Sequence, residues 1–426
     1  MRKRRSLHAA VSIGMIVISL AAAACAGRQP IDKTDTLPSA PPVTLRYTSY
    51  LLDSAQAGKV YHDAIAEFEA RNPGIRIETD FIQNTYYTSG IKTRLLGGVK
   101  LDVFDTWSPS LFTEIRLLGE DIYLDLSGSS FLDEFLPSSL EPVTIDGKVY
   151  GVPEVMHSDG LLYNKGLFDE LRLQVPRTWD EFVYVCDILK AAGYIPIAMD
   201  SEWWVPQFFF GSLMTNNGAD TEWTARLERG EVPVTDPIFV DALEKTKEII
   251  TRGYVPEAWF VLKHEQSKDL LGQGKAAMMI AGTWDIPSIL ERDPNLDIDF
   301  MMVPGEKRTI PNINIGTYRV ISSETEFPEE AKRFVAFMSG KENQEKLALG
   351  ASAVPSVKGY EVNNPISQKI AAFVTREDAT LYWPHTVSTE TLQVKILEEV
   401  NRYLTGESLE VTLAAIQAAI DEARRS

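Results

Sequence analysis

The chain has 426 residues, enough for roughly two to three domains of ordinary size. Hydrophobic residues make up 44% and charged residues 24%, a balance that excludes a disordered or collagen-like polymer. Forty-two basic against 60 acidic residues give a formal charge of −18, which argues against a nucleic-acid partner, and two cysteines, Cys25 and Cys186, exclude a disulfide framework. Residues 1–24 read as a signal peptide: Arg2, Lys3, Arg4 and Arg5 start it, an apolar run follows, and Ala21-Ala22-Ala23-Ala24 closes it. The run is shorter than the roughly 20 residues that a bilayer span needs.

Ala22-Ala23-Ala24-Cys25 resembles the end of a bacterial lipoprotein signal. That resemblance implies cleavage before Cys25, a diacylglyceryl thioether on its sulfur, and a membrane anchor made of several acyl chains, since one chain alone binds marginally. Cleavage removes four positive residues and takes the formal charge from −18 to −22. Residues 25–42 hold the lipidated Cys and a polar stretch with Pro30, Pro38, Pro41 and Pro42, which reads as a flexible tether reaching roughly 20–50 Å. Cys186, in the apolar Phe182-Val183-Tyr184-Val185-Cys186, reads as a buried, inert thiol.

Strand and helix patterns then alternate. Val43–Tyr50 is rich in β-formers, and Lys59–Ala70 sets Val60, Ala64, Ile65 and Phe68 on one helical face before Asn72-Pro73-Gly74 stops it. Ile75–Phe81 alternates as a strand, Tyr86–Gly97 reads as helix and Leu101–Trp107 as strand. This β-α-β-α-β order predicts a mostly parallel open sheet covered by helices, with ligands beyond the carboxyl ends of its strands. Tyr50, Asp105 and Trp107 stand at those ends. Thr178-Trp179-Asp180-Glu181 is a capping-box pattern, which makes Trp179 a packing residue. Gly274-Lys275 lacks the spacing and hydroxyl of a phosphate loop and reads as a turn into the strand Ala276–Ile280.

Several segments carry a family resemblance. FEARNPGIRIE (68–78), GKVYGVPEVMHSDGLLYNKGLFDELRLQVPRTWDEF (147–182) and GKAAMMIAGTWD (274–285) resemble, in order and spacing, the extracellular solute-binding proteins (family 1 type) of carbohydrate ABC transporters. The helix Glu329–Met338 with Glu342-Asn343-Gln344-Glu345, and the closing LTGESLEVTLAAIQAAID, are similar to later parts of the same family. The resemblance implies an α/β, periplasmic-binding-protein-like (type II) fold: two lobes, a hinge and a ligand cleft between them. It also implies the substrate-binding role in an importer: a monomer that captures a sugar or short oligosaccharide, delivers it to membrane permease subunits, and uses no catalysis, metal or cofactor. The expected segments are 43–122 plus 283–323 for lobe 1 and 123–282 plus 324–426 for lobe 2, with crossings near 122, 282 and 323.

Enzyme motifs are sparse. No G-x-S-x-G elbow occurs, Ser89-Gly90-Ile91-Lys92 lacks the companion motifs of an acylating serine, and the five histidines are scattered without zinc spacing. Paired carboxylates of a secreted glycoside hydrolase remain an alternative, because 60 acids supply many pairs. A binding protein for glycerol phosphate or a peptide is another, which an arginine cluster in the cleft would signal.

A sugar site needs flat rings for the C–H faces and fixed polar groups for the hydroxyls. The candidates are Tyr50, Asp105 and Trp107; Glu154 after the Val152-Pro153 turn; Trp203 and Trp204 after the Ile195–Asp200 strand; Trp284 and Asp285 after Gly282; Asn314; and Tyr382 with Trp383 in a late loop. Trp223 and Trp259, in polar surroundings, read as peripheral.

Overall fold

The computed structural model describes residues 42–52, 58–83, 86–119, 121–202 and 204–425. The expected signal peptide, Cys25, nearly all of the tether and Trp203 lie outside the described residues. Among the described residues no helix is long and apolar enough to cross a membrane.

The first sheet grows from the N-terminal pattern. Val43–Ser49 runs parallel to Ile75–Phe81, in register from Val43 opposite Ile75 to Ser49 opposite Phe81, and parallel to Val103–Thr106 on its other side. The connecting helix Gly58–Arg71 buries Tyr61, Ala64, Ile65 and Phe68, so Tyr61 takes the place expected for Val60. Two strands from later in the chain complete the sheet. Tyr318–Ile321 pairs antiparallel with Val103–Thr106, and Gly151–Pro153 pairs antiparallel with Tyr318–Ile321. The sheet is therefore mixed, where sequence order predicted mostly parallel.

A second sheet carries the strands Ile298–Met301, Asp159–Asn164, Ala276–Gly282 and Ile195–Ala198 in that order. The helix Trp204–Asn217 is buried on every side from Val205 to Asn216, the burial expected of a helix apolar all round. Thr178 caps the helix Trp179–Ala191 by accepting from Glu181 N at 3.3 Å, while the Glu181 carboxylate accepts from Arg177 N at 2.7 Å. Trp179 packs on Phe182 and Phe209, as its place in the capping pattern predicted. Cys186 is fully buried in the same core, which pushes its thiol well above the usual range.

A small sheet joins the two bodies: Val354–Pro355, Val155–His157, Asn312–Ile315 and Thr380–Leu381. Glu154 alone separates its strand Val155–His157 from Gly151–Pro153 of the first sheet. Gly316 and Thr317 alone separate Asn312–Ile315 from Tyr318–Ile321, and Glu154 N donates to Thr317 O at 2.9 Å, tying these two passages together. A third passage leaves residues 356–358, bonded to 134–136, for the helix Pro365–Val374, whose Lys369 pairs with Asp299 of the second sheet at 2.5 Å.

These pairings depart from the expected segments. Ile298–Met301, expected in lobe 1, pairs with Asp159–Asn164 of the second sheet. Gly151–Pro153 and the helix Pro328–Met338, expected in lobe 2, build on the first sheet, where Phe334 meets Tyr47 and Phe68 edge-on at 5.4 and 5.1 Å. The Phe112–Tyr123 stack, with centroids 4.6 Å apart, likewise carries the chain past 122 without leaving the first body. Trp223 and Trp259 are core residues of the second body rather than peripheral ones, since apolar neighbours from distant elements cover them.

Candidate functional site

A cavity of about 540 Å³ opens between the two bodies, directly against the passages at Glu154 and Gly316-Thr317. Its volume lies within the usual range of small-molecule sites. The first body contributes Tyr50, Phe81 and Trp107, and the second contributes Trp204, Phe208, Trp284 and Tyr382.

Each ring is held by its neighbours. Tyr50 stands edge-on to Tyr87 and Trp107 at 5.0 and 5.5 Å, and its hydroxyl donates to Gly316 O at 2.8 Å. Trp107 is also tilted against Tyr87, with centroids 5.6 Å apart. Trp204 packs on Phe208 and on His264, with centroids at 5.2 and 4.5 Å. Trp284 meets His157 and Phe208 edge-on at 5.2 and 5.6 Å. Glycine makes two of these placements possible. A Cβ on Gly282 would lie 2.2 Å from Cη2 of Trp284, and one on Gly211 would lie 2.7 Å from Cε2 of Tyr382.

Polar residues share the lining with the rings, and six of their buried atoms have no protein hydrogen-bond partner: His157 Nδ1, Gln207 Oε1, Asn314 Oδ1, Tyr382 OH, His385 Nδ1 and Gln393 Oε1. Asn314 shows how such an atom is aimed. Its Nδ2 donates to Asp159 Oδ2 at 3.1 Å, which leaves Oδ1 unpaired. Burial pushes the Asp159 carboxyl up to about 8 against that hydrogen bond, and nearby Asp285 adds to the rise. Burial alone brings His385 down to about 4; it does the same to His157 against the pull of Asp285, so both present neutral rings at neutral pH. No lysine or arginine lines the cavity among the described residues.

The carboxylates of the wall are engaged elsewhere. Glu154 Oε1 lies 3.2 Å from Nη2 of the buried Arg319, which also donates to the hydroxyls of Tyr47 and Tyr61 at 2.9 and 3.3 Å and to Ser339 at 3.2 Å. Glu390 accepts from Thr88 and Trp107.

Tyr50, Trp107, Glu154, Trp204, Trp284, Asn314 and Tyr382 thus meet in one cavity, and three predicted site residues do not reach it. Asp105 is fully buried under the sheet, where it accepts from the Tyr47 hydroxyl at 2.7 Å and faces Arg319 Nε at 3.2 Å. Asp285 turns away behind Trp284 to pair with His264 at 3.1 Å and Lys268 at 3.4 Å. Burial opposes a charge on His264, but Asp285 and Asp200 outweigh it and raise the imidazole to about 9. Trp383 is fully buried against Phe210 and Phe239.

Sequence reasoning missed Phe81, His157, Gln207, Phe208, His385, Glu390 and Gln393. Gln207 and Phe208 carried a usable signal, since they lie three and four residues after Trp204 on one helix face. Among the described residues no group of three or more His, Cys, Asp or Glu could hold a metal.

Comparison with known proteins gives a consistent picture. The family model described as bacterial extracellular solute-binding protein matches residues 53–345. The multiple sugar-binding protein of Streptococcus mutans serotype c is 26% identical over 313 residues, covering 71% of this chain and 73% of the relative. Among solved structures, the solute-binding protein RafE in complex with raffinose superposes with a TM-score of 0.78 at 23% identity, covering 89% of this chain and 99% of that one. A sugar transporter of Bacillus licheniformis in complex with stachyose gives 0.74 at 19% identity, covering 88% and 98%. Those likenesses show the periplasmic-binding-protein-like, type II fold.

Proposed function

The chain belongs to the bacterial extracellular solute-binding proteins, and from that premise we propose that it is the substrate-binding component of an ABC importer, capturing a sugar or short oligosaccharide in the cavity between its two bodies. The observation that carries this reading is the cavity lining: seven rings together with the polar residues His157, Gln207, Asn314, His385 and Gln393 and no cationic side chain among the described residues. Rings stack on sugar C–H faces, and neutral amide and imidazole side chains are suited to hydrogen bonds with sugar hydroxyls. The names of the relatives, a multiple sugar-binding protein and proteins bound to raffinose and stachyose, support the same class.

The absence of lysine and arginine from the described lining disfavours glycerol phosphate, which needs a cation. The protein is exported, acylated at Cys25 and tethered to the membrane by the stretch before Val43. Its two lobes close about the passages at Glu154 and Gly316-Thr317, and the closed monomer delivers its ligand to the permease. Closure helps transport only to the extent that ligand prefers the closed state.

Calorimetry across a panel of mono- and oligosaccharides tests the assignment. Saturable binding of one saccharide, with none for peptides or glycerol phosphate, is expected. Silence across the whole sugar panel together with peptide binding overturns it.

A further inference from the structure

Glu390 is a buried carboxyl in the cavity wall that ligand capture, as described so far, does not use. It opens the helix Glu390–Thr405, which Thr389 caps by accepting from Leu392 N at 3.3 Å. That helix packs among the helices of the second body, yet the Glu390 carboxylate reaches the first. Thr88 Oγ1 lies 2.9 and 3.0 Å from its two oxygens, and Trp107 Nε1 donates to Oε1 at 3.1 Å. The neighbouring residues repeat the connection. Thr391 donates through N and Oγ1 to Glu114 at 2.7 and 2.6 Å, and Ser110 Oγ donates to Val387 O at 2.7 Å. A short strap, 387–391, is thus fastened to the first body at three points, of which only Glu390 faces the cavity.

We propose that Glu390 is a positioning residue for Trp107: its carboxyl holds the indole N–H and sets the ring against the ligand, so that capture depends on the fastening between the two bodies. The proposal rests on reading the cavity as the ligand site. An acidic residue in the first turn of a helix has an ordinary role facing the helix dipole, but that role requires neither Thr88 nor Trp107. The charged groups facing Glu390 are Glu114 and Lys92, themselves ion-paired, and from its own body His385 is neutral. Burial pushes the Glu390 carboxyl up to about 7, with Glu114 adding to the rise and Thr88, Lys92 and Trp107 opposing it. The indole of Trp107 therefore sits beside a group that changes charge near neutral pH.

The test uses the full-length chain, labelled with nitrogen-15, and follows the Trp107 indole signal, identified with Trp107→Phe. Without ligand, that signal is expected to shift with pH around a midpoint near 7, and Glu390→Gln is expected to abolish the shift. Calorimetry with the tightest saccharide of the panel should show at least a ten-fold weaker affinity for Glu390→Ala. The double variant Glu390→Ala/Trp107→Phe should lose little beyond the worse single one. A Trp107 indole signal that is the same in Glu390→Ala as in the wild type overturns the proposal, as does a pH shift that persists in Glu390→Gln or wild-type affinity in Glu390→Ala. A wild-type chain that binds no saccharide overturns the sugar assignment alone, because the ligand-free titration still decides the role of Glu390.

Discussion

Two buried polar arrays meet at Glu154 and behave in opposite ways. Beneath the first sheet, the Arg319 guanidinium faces Asp105 and Glu154, donates to three hydroxyls, and lies over the rings of Tyr47 and Tyr61. Burial works against charge on all three ionic groups: Tyr47, Asp105 and Glu154 outweigh it for Arg319, while Asp105 and Glu154 stay above the usual carboxylate range despite Arg319. In the cavity wall a few residues away, amide and imidazole atoms are as deeply buried but have no protein partner. Burial of polar groups is common to both arrays. What separates them is charge: a guanidinium between two carboxylates holds the first together, while neutral amides and imidazoles line the second.

The largest expected effect is on the closed array. Arg319→Met leaves two buried carboxylates without a counter-charge and should cost about 3–5 kcal/mol in urea unfolding. That loss should shrink in acid, as Asp105 and Glu154 take up protons. A cost below about 1 kcal/mol would show that the array is not a structural unit.

Trp383→Ala should cost a similar amount, about 3–5 kcal/mol, because it empties a packed core position, while the folded fraction keeps its ligand affinity. His264 sharpens the contrast through pH. Its raised value of about 9 means that its stabilisation is complete below about pH 6.5 and is lost as pH rises through 9. The wild-type chain should lose up to about 3 kcal/mol across that window, and His264→Asn should flatten the profile.

In the open array the effects move from stability to affinity. Trp284→Ala should weaken saccharide binding by more than about 1 kcal/mol with little change in Tm, and an unchanged dissociation constant would remove it from the site. Gln393→Leu should leave stability within about 0.5 kcal/mol, because the lost atom had no partner, and still weaken binding measurably.

Legibility followed the range of the interactions. Ile75–Phe81 has the same bounds in sequence and structure because a period-2 pattern and a turn are local signals. The antiparallel entry of Tyr318–Ile321 depends on a partner more than two hundred residues away and leaves no local trace. Within the site, residues at strand ends and glycine turns were readable: Tyr50, Trp107, Glu154, Trp284 and Asn314 all reach the cavity. Their chain neighbours were not. Trp284 and Asp285 diverge to opposite sides of one turn, as do Tyr382 and Trp383, and a linear string does not record that choice. Asp105 was misplaced for want of Arg319, its distant counter-charge. Glu390 and Gln393 share a helix face three residues apart, but no motif or neighbouring aromatic pointed to that face.

The shortness of two passages between the bodies has an entropic consequence. Ordering a residue costs about 1–2 kcal/mol of conformational freedom, so lobes joined by long loops would spend part of every binding event on taming their linkers. Here the first passage is Glu154 alone, already paired with Arg319. The second is Gly316-Thr317, already held by Tyr50 and by Glu154 N. Little freedom remains in either to be lost when the lobes meet. The contact energy of a captured ligand is then expressed as affinity and as the choice between open and closed forms, with little dissipated in these two passages.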